Sequence, residues 1–207
     1  MRRKVHAILL AAGFSRRFQG NKLLYPLEGK ALYLYLTERL GELLKEGILD
    51  SLVVVTQYDE ILQEMKKRKI EAVKNENSIQ GISSSLKLGF CKAQEFKKRG
   101  EENYYIFFVA DQPYTEGEMI ASFADGYFKS GKKLGCTAFK GRRGSPTAFG
   151  ACYRSELLAI SGDKGGRQVM KDHPEELWIM ETEEKQLWDV DLPEDLKRGK
   201  KEYGTGA

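Results

Sequence analysis

Three stretches of this chain are apolar over the length of a strand: residues 5–10 (broken only by His6), 52–55 and 104–109. A strand with one face in water alternates apolar with polar residues, so continuous runs call for cover on both faces of a sheet. Stretches of helical period lie between them. Residues 32–44 repeat Leu32, Leu36, Leu40, Leu43 and Leu44, with Gly47 as a stop. Residues 61–70, 83–96 and 116–128 read as further helices, and 71–73 as a short strand. This alternation predicts an α/β fold: three layers, α/β/α, Rossmann-like, around a mostly parallel sheet. After about residue 134 the pattern changes. Residues 134–139 and 147–149 flank a turn-rich stretch, 140–146, which predicts a hairpin or an insertion at the functional face. A length of 207 residues suits one domain, 1–207, with about 200–207 as a frayed tail.

In an open parallel sheet, ligands bind beyond the carboxyl ends of the strands. The first strand runs into Leu10-Ala11-Ala12-Gly13-Phe14-Ser15-Arg16-Arg17-Phe18-Gln19-Gly20-Asn21-Lys22. A small-residue turn followed by a hydroxyl, paired arginines and a lysine gathers N–H donors and positive charge, as a nucleoside triphosphate requires. Ala110-Asp111-Gln112-Pro113 follows the third apolar run. Asp111 there either holds Mg²⁺ through its carboxylate or makes an Asx turn or helix cap. Asp189 and Asp191 stand two apart, so in an extended segment they point the same way. One of them completes the Mg²⁺ shell and the other caps the helix beginning near Pro193; Asp191 is the preferred ligand, and its capping is the alternative.

Three further segments carry open alternatives. Gly81-Ile82-Ser83-Ser84-Ser85 opens a helix, where its hydroxyls and free N–H groups read a base, a ribose or a phosphate, or where a serine is a plain N-cap. Gly141-Arg142-Arg143-Gly144-Ser145-Pro146 is a basic, glycine-bounded turn that grips an anionic second substrate or is a solvated hairpin turn. Gly162-Asp163-Lys164-Gly165-Gly166-Arg167 offers an arginine to clamp phosphate bidentately, or is an ordinary loop.

Other chemistries find little support. The net charge of +4, from 34 basic and 30 acidic residues, is mild, and the basic residues are scattered as solvated helix ends, so no nucleic-acid partner is expected. Cys91, Cys136 and Cys152 lie far apart without zinc spacing, which fits a reducing cytosol and a cytoplasmic protein. His6 reads as a satisfied core histidine and His173, before Pro174, as a helix-end residue, which leaves a Ser–His–Asp hydrolase without its base. The basic start, Arg2-Arg3-Lys4, precedes too short an apolar run for export, and no run reaches the roughly eighteen residues of a membrane span. The first loop lacks GxGxxG, and Thr56-Gln57 end the second strand where a dinucleotide site would carry an acid.

Taken in order, these segments resemble the MobA-like NTP transferase family, over roughly residues 5–198, and within it the molybdenum cofactor cytidylyltransferase branch. The first loop is similar to LAAGxSxRMGxxK, with Phe18 for Met and Gln19 at a usual Gly, and 23–30 continues the likeness. Asp111-Gln112-Pro113 resembles the metal aspartate motif. Gly144-Ser145-Pro146 resembles Gly-Asn-Pro, 162–167 resembles Gly-Asp-x-Gly-Ala-Arg, and 189–195 resembles Asp-Ile-Asp-Thr-Pro-Glu-Asp with Leu192 for Thr. The resemblance implies transfer of CMP from CTP to the terminal phosphate of molybdopterin, with release of diphosphate. Leu10, Ala11, Ala12, Gly13, Ser15, Arg17, Lys22, Gly81, Ser83, Ser84 and Ser85 would bind the nucleotide, Arg17 and Lys22 acting as the catalytic cations. Asp111 and Asp191 would hold Mg²⁺, and Arg143, Gly144, Ser145, Pro146 and Arg167 the second substrate. Ala12, where guanylyl-transferring relatives usually show Gly, points toward the smaller pyrimidine. The implied partners are CTP, molybdenum cofactor and a molybdenum hydroxylase apoenzyme that receives the product.

Overall fold

The computed structural model describes residues 2–15, 17–18 and 20–203. In chain order the strands are β1 (Arg2–Ala11), β2 (Pro26–Leu27), β3 (Lys30–Ala31), β4 (Ser51–Thr56), β5 (Glu71–Lys74), β6 (Glu101–Val109), β7 (Leu134–Phe139), β8 (Arg142–Gly150) and β9 (Leu177–Glu181). The helices are α1 (Leu32–Lys45), α2 (Asp59–Arg68), α3 (Ile82–Ala93), α4 (Gly117–Ser130), α5 (Arg154–Ala159), α6 (Arg167–Asp172) and α7 (Pro193–Tyr203). Seven strands form one sheet in the order β5-β4-β1-β6-β8-β7-β9, and β2 and β3 pair separately. The sheet is mostly parallel; only β8 runs antiparallel to its neighbours β6 and β7.

β1 explains why the apolar runs are continuous. Val5, Ala7, Leu9 and Ala11 enter one core with Leu36 and Leu40 of α1 and Ile120 and Phe123 of α4. Ile8 enters a second core with Leu86 and Phe90 of α3. Successive side chains point to opposite faces, and helices cover both, so Val5 to Leu9 and Ala11 are buried, while Arg3, in the basic start of the strand, reaches solvent. This is the three-layer α/β/α arrangement expected from the sequence.

Three details differ from the sequence reading or lie beyond it. The turn expected over 140–146 shrinks to Lys140 and Gly141, both at positive φ, a geometry that suits a two-residue hairpin. Arg142 to Pro146 are strand, and the register jumps from Cys136↔Thr147 to Thr137↔Gly144, which leaves Ser145 and Pro146 in a bulge. That is where a proline without an N–H can sit inside a sheet. β9 has no counterpart in the sequence reading; only its pairing with β7 reveals it. At the other end, α7 extends through Tyr203, whose ring meets Trp188 and Tyr114, while 204–207 lie outside the described residues.

Candidate active site

β1 has β4 on one side and β6 on the other, so the chain winds away from it in both directions. A crevice must open beyond the carboxyl ends of β1 and β6. A cavity of about 380 Å³ lies there, lined by Leu10, Ala12, Gly13, Ser15, Arg17 and Lys22 from the first segment and by Asp111 and Asp191 from the other two. Gly81 and Ser85 complete the wall on the α3 side.

The first loop is held from below. Thr56 Oγ1 donates to Ala11 O at 2.9 Å, Gln57 Nε2 to Ala12 O at 2.7 Å and Tyr58 Oη to Gly13 O at 2.5 Å. The carbonyls are thereby engaged on the sheet side, while the N–H groups of Gly13 and Ser15 make no hydrogen bond among the described residues. A Cβ added at Gly13 would meet nothing within 4 Å, so the loop faces open space. Ser15, at φ 51°, takes the Lys22 N–H on its hydroxyl at 3.1 Å and closes the loop on itself. Phe18 packs with Val190 and Leu196, which joins this loop to the C-terminal segment. Arg16 and Gln19 lie outside the described residues.

Lys22 is the centre of charge. It is only 8% exposed, and its ammonium donates to Asp111 Oδ2 at 2.7 Å, Val190 O at 2.7 Å and Asp191 Oδ1 at 3.1 Å. Burial alone would lower its pKa; the Asp111 and Asp191 carboxylates outweigh it and hold the ammonium above its ordinary value. The second Asp191 oxygen faces the exposed Arg17 guanidinium at 3.3 Å. Asp111 Oδ1 is buried and has no partner among the described residues. Asp195 Oδ2 accepts from the N–H groups of Asp191 and Leu192 at 2.9 and 2.7 Å, reaching back over the start of α7. The helix start is thus served by Asp195, and the Asp191 carboxylate is left to the cleft. Asp189 turns to Gln112, accepting its Nε2–H at 2.8 Å. Desolvation first, then the charges of Asp111 and Asp191, push its carboxyl up to about 6, although the residue keeps an exposed side.

Among the described residues, no group of three or more His, Cys, Asp or Glu is arranged to hold a metal by itself. Two carboxylates with one orphaned oxygen fit a different case: a Mg²⁺ that takes one or two protein carboxylates and completes its shell with phosphate oxygens and water.

The other expected residues divide. Ala11, the last residue of β1, turns its side chain into the core and does not line the cavity. Ser85 lines it, its hydroxyl held by Asn75 Nδ2 at 2.8 Å. Ser83 and Ser84 do not: the Ser83 N–H donates to Gly162 O at 3.1 Å, and the Ser84 hydroxyl to Gly81 O at 2.8 Å. Asp163 Oδ1 accepts from Ile82 N at 3.3 Å, so the loop at 162–163 already occupies donors of the α3 N-terminus. Arg143, Gly144, Ser145, Pro146 and Arg167 stay outside the cavity lining. Arg143 and Arg167 are exposed, and both charges act on Cys136, against the burial that raises its thiol to about 11. Gly144 lies against Leu187, and Pro146 is buried. Sequence reasoning passed over Ile79 and Ile82, an apolar edge of the cavity with Ile79 76% exposed, and over Asn75, Gln57 and Tyr58, which support the walls. The sole sequence signal for the last two was the missing acid after β4.

The fold recurs among known proteins. Rv0371c from Mycobacterium tuberculosis superposes with a TM-score of 0.78 at 17% identity, covering 96% of this chain and 98% of that one. Its complex with manganese gives 0.76 at 16% identity, covering 96% and 99%. The 4-diphosphocytidyl-2C-methyl-D-erythritol synthase of Anaerococcus prevotii gives 0.70 at 14% identity, covering 95% and 94%. At these identities the likeness establishes the fold. No curated protein matches the chain in sequence. Residues 7–177, from inside β1 to the first residue of β9, match the MobA-like NTP transferase domain, and the chain belongs to that family of nucleotidyltransferases.

Proposed function

We propose that this nucleotidyltransferase moves CMP from CTP to the terminal phosphate of molybdenum cofactor, giving molybdopterin cytosine dinucleotide and diphosphate. The observation that carries the reading is the meeting of the Gly13 and Ser15 N–H donors, Lys22, Asp111 and Asp191 in one cleft at the switch point of the sheet. The open N–H groups, with Arg17, receive the triphosphate. Asp111 and Asp191 hold Mg²⁺, which when bound neutralises charge on the phosphates. The chain's part is to position two anions in line and offset their charge; no protein nucleophile is required. Ala12, on the cavity wall, adds bulk that favours the smaller base, and a fold neighbour named for a diphosphocytidyl product supports a cytidylyl donor. Arg143 and Arg167, exposed and outside the cavity, are assigned to the anionic acceptor, and the product passes to a molybdenum hydroxylase apoenzyme.

The test is incubation with Mg²⁺, molybdenum cofactor and each nucleoside triphosphate in turn, with detection of a dinucleotide product. CTP is expected to give product and GTP little. Use of GTP without CTP overturns the cytidylyl assignment, and release of diphosphate only with another phosphorylated acceptor overturns the molybdopterin one.

A further inference from the structure

Two carboxylates meant for a divalent cation already hold a cation of the protein's own. Each hydrogen of the Lys22 ammonium is matched by an acceptor: Asp111 Oδ2 at 2.7 Å, Val190 O at 2.7 Å and Asp191 Oδ1 at 3.1 Å. At 8% exposure, Lys22 is not a solvated lysine that brushes past two acids. The carboxylate oxygens left over are Asp111 Oδ1, buried without a partner among the described residues, and Asp191 Oδ2, which faces Arg17. A bare divalent cation entering here would meet the ammonium's repulsion in a site of reduced dielectric, where such charges act strongly. A cation arriving on a triphosphate brings a net anion, and the ammonium then has phosphate oxygens to turn to.

We propose that Lys22 is the resident counter-ion of the Asp111–Asp191 pair: it keeps bare divalent cations out and yields the carboxylates only to a cation that enters with a triphosphate. The proposal rests on reading the cleft as a metal–triphosphate site, and adds to it an order of binding. Lys22 then has two successive sets of partners, the carboxylates first and the phosphates afterwards.

The experiment measures Mn²⁺ retained by the protein, with and without CTP, for the wild type, Lys22→Met, Lys22→Arg and Asp111→Asn. The wild type is expected to retain Mn²⁺ weakly alone and strongly with CTP. Lys22→Met is expected to bind Mn²⁺ alone about tenfold or more tightly than the wild type. Its metal-free form should melt at a lower temperature, and Mn²⁺ alone should recover the loss. Lys22→Arg keeps the charge and should keep the exclusion. If Lys22→Met does not fold, Lys22→Gln takes its place, and failure of both to fold unless Mn²⁺ is present also supports the proposal. A neutral variant that folds and binds Mn²⁺ alone no better than the wild type overturns the proposal. The underlying reading fails separately, when CTP does not raise Mn²⁺ retention by the wild type or when Asp111→Asn leaves that rise intact.

Discussion

His6 shows how a single side chain in the sheet is settled by its partners. The ring is 1% exposed and stacks on Tyr105 at 5.2 Å between centroids. Asn103 Oδ1 lies 2.7 Å from Nε2 and Ser51 Oγ 2.8 Å from Nδ1, a set that fits the neutral ring donating to the amide and accepting from the hydroxyl. Burial lowers its pKa below 6.5, and the bond to Asn103 and the charge of Asp50 only partly restore it. The unfolded chain therefore takes up a proton before the native one does. Stability is full above about pH 6.5 and is lost as pH falls toward the lowered native value. His173 has the opposite sign, since its bond to Glu156 raises its pKa. A His6→Gln variant isolates the effect: between about pH 7.5 and about pH 5.5 the wild type should lose more in urea midpoint than the variant. Equal losses would remove the buried ring from the account. The core role of His6 was legible in the sequence, because it interrupts an apolar run. The three-way bonding of Lys22 was not, since its acceptors lie 89, 168 and 169 residues away and no local pattern measures that separation.

At the scale of elements, close approach decides where α3 sits. A Cβ placed on Gly89 would come within 2.5 Å of Ile8 Cγ2 and 2.7 Å of Val55 Cγ2, so at this position the helix backbone rests directly on β1 and β4. Both neighbours are β-branched and fully buried, and cannot swing aside. Gly89→Val should destabilise the fold by about 2 kcal/mol, through overpacking that outweighs any gain in helix propensity. The corresponding fall in melting temperature is about 4–8 °C for a chain of this size. A melting temperature equal to the wild type's would mean that α3 is free to lift. The elements legible in advance were those whose residues declare a period: the apolar strands β1, β4 and β6, and the long helices α1, α3 and α4. β8 was half-read because Arg142, Gly144 and Pro146 look like turn chemistry, and only the bulge reconciles them with a strand. β9 carries the pattern Leu-Trp-Ile-Met-Glu with mixed burial at the sheet edge, a short run that neither period selects.

For the whole molecule, the cleft depends on the last sixth of the chain folding back over the first. Asp191 comes to Lys22 because Val190 N donates to Asp111 O at 2.9 Å and because Phe18, Leu27, Leu32, Val190 and Leu196 form one small core. α7 fastens this arrangement through Gly199, where an added Cβ would meet Tyr114 Cε2 at 2.7 Å and Trp188 Nε1 at 3.1 Å. Trp188 immediately precedes the segment that carries Asp189 and Asp191, so pressure on its ring is transmitted to the carboxylates without touching any group that meets the nucleotide. Gly199→Val is therefore expected to do more than loosen a helix. Its melting temperature should fall by about 5 °C, as overpacking of this kind costs about 1–3 kcal/mol. Retention of Mn²⁺ in the presence of CTP should weaken by about tenfold, the order seen when the support of a metal ligand is disturbed. The two readouts separate two roles for α7. Were the melting temperature to drop while Mn²⁺ retention matched the wild type, α7 would be a stabilising cover only, and the placement of Asp191 would have to come from the Phe18 core alone.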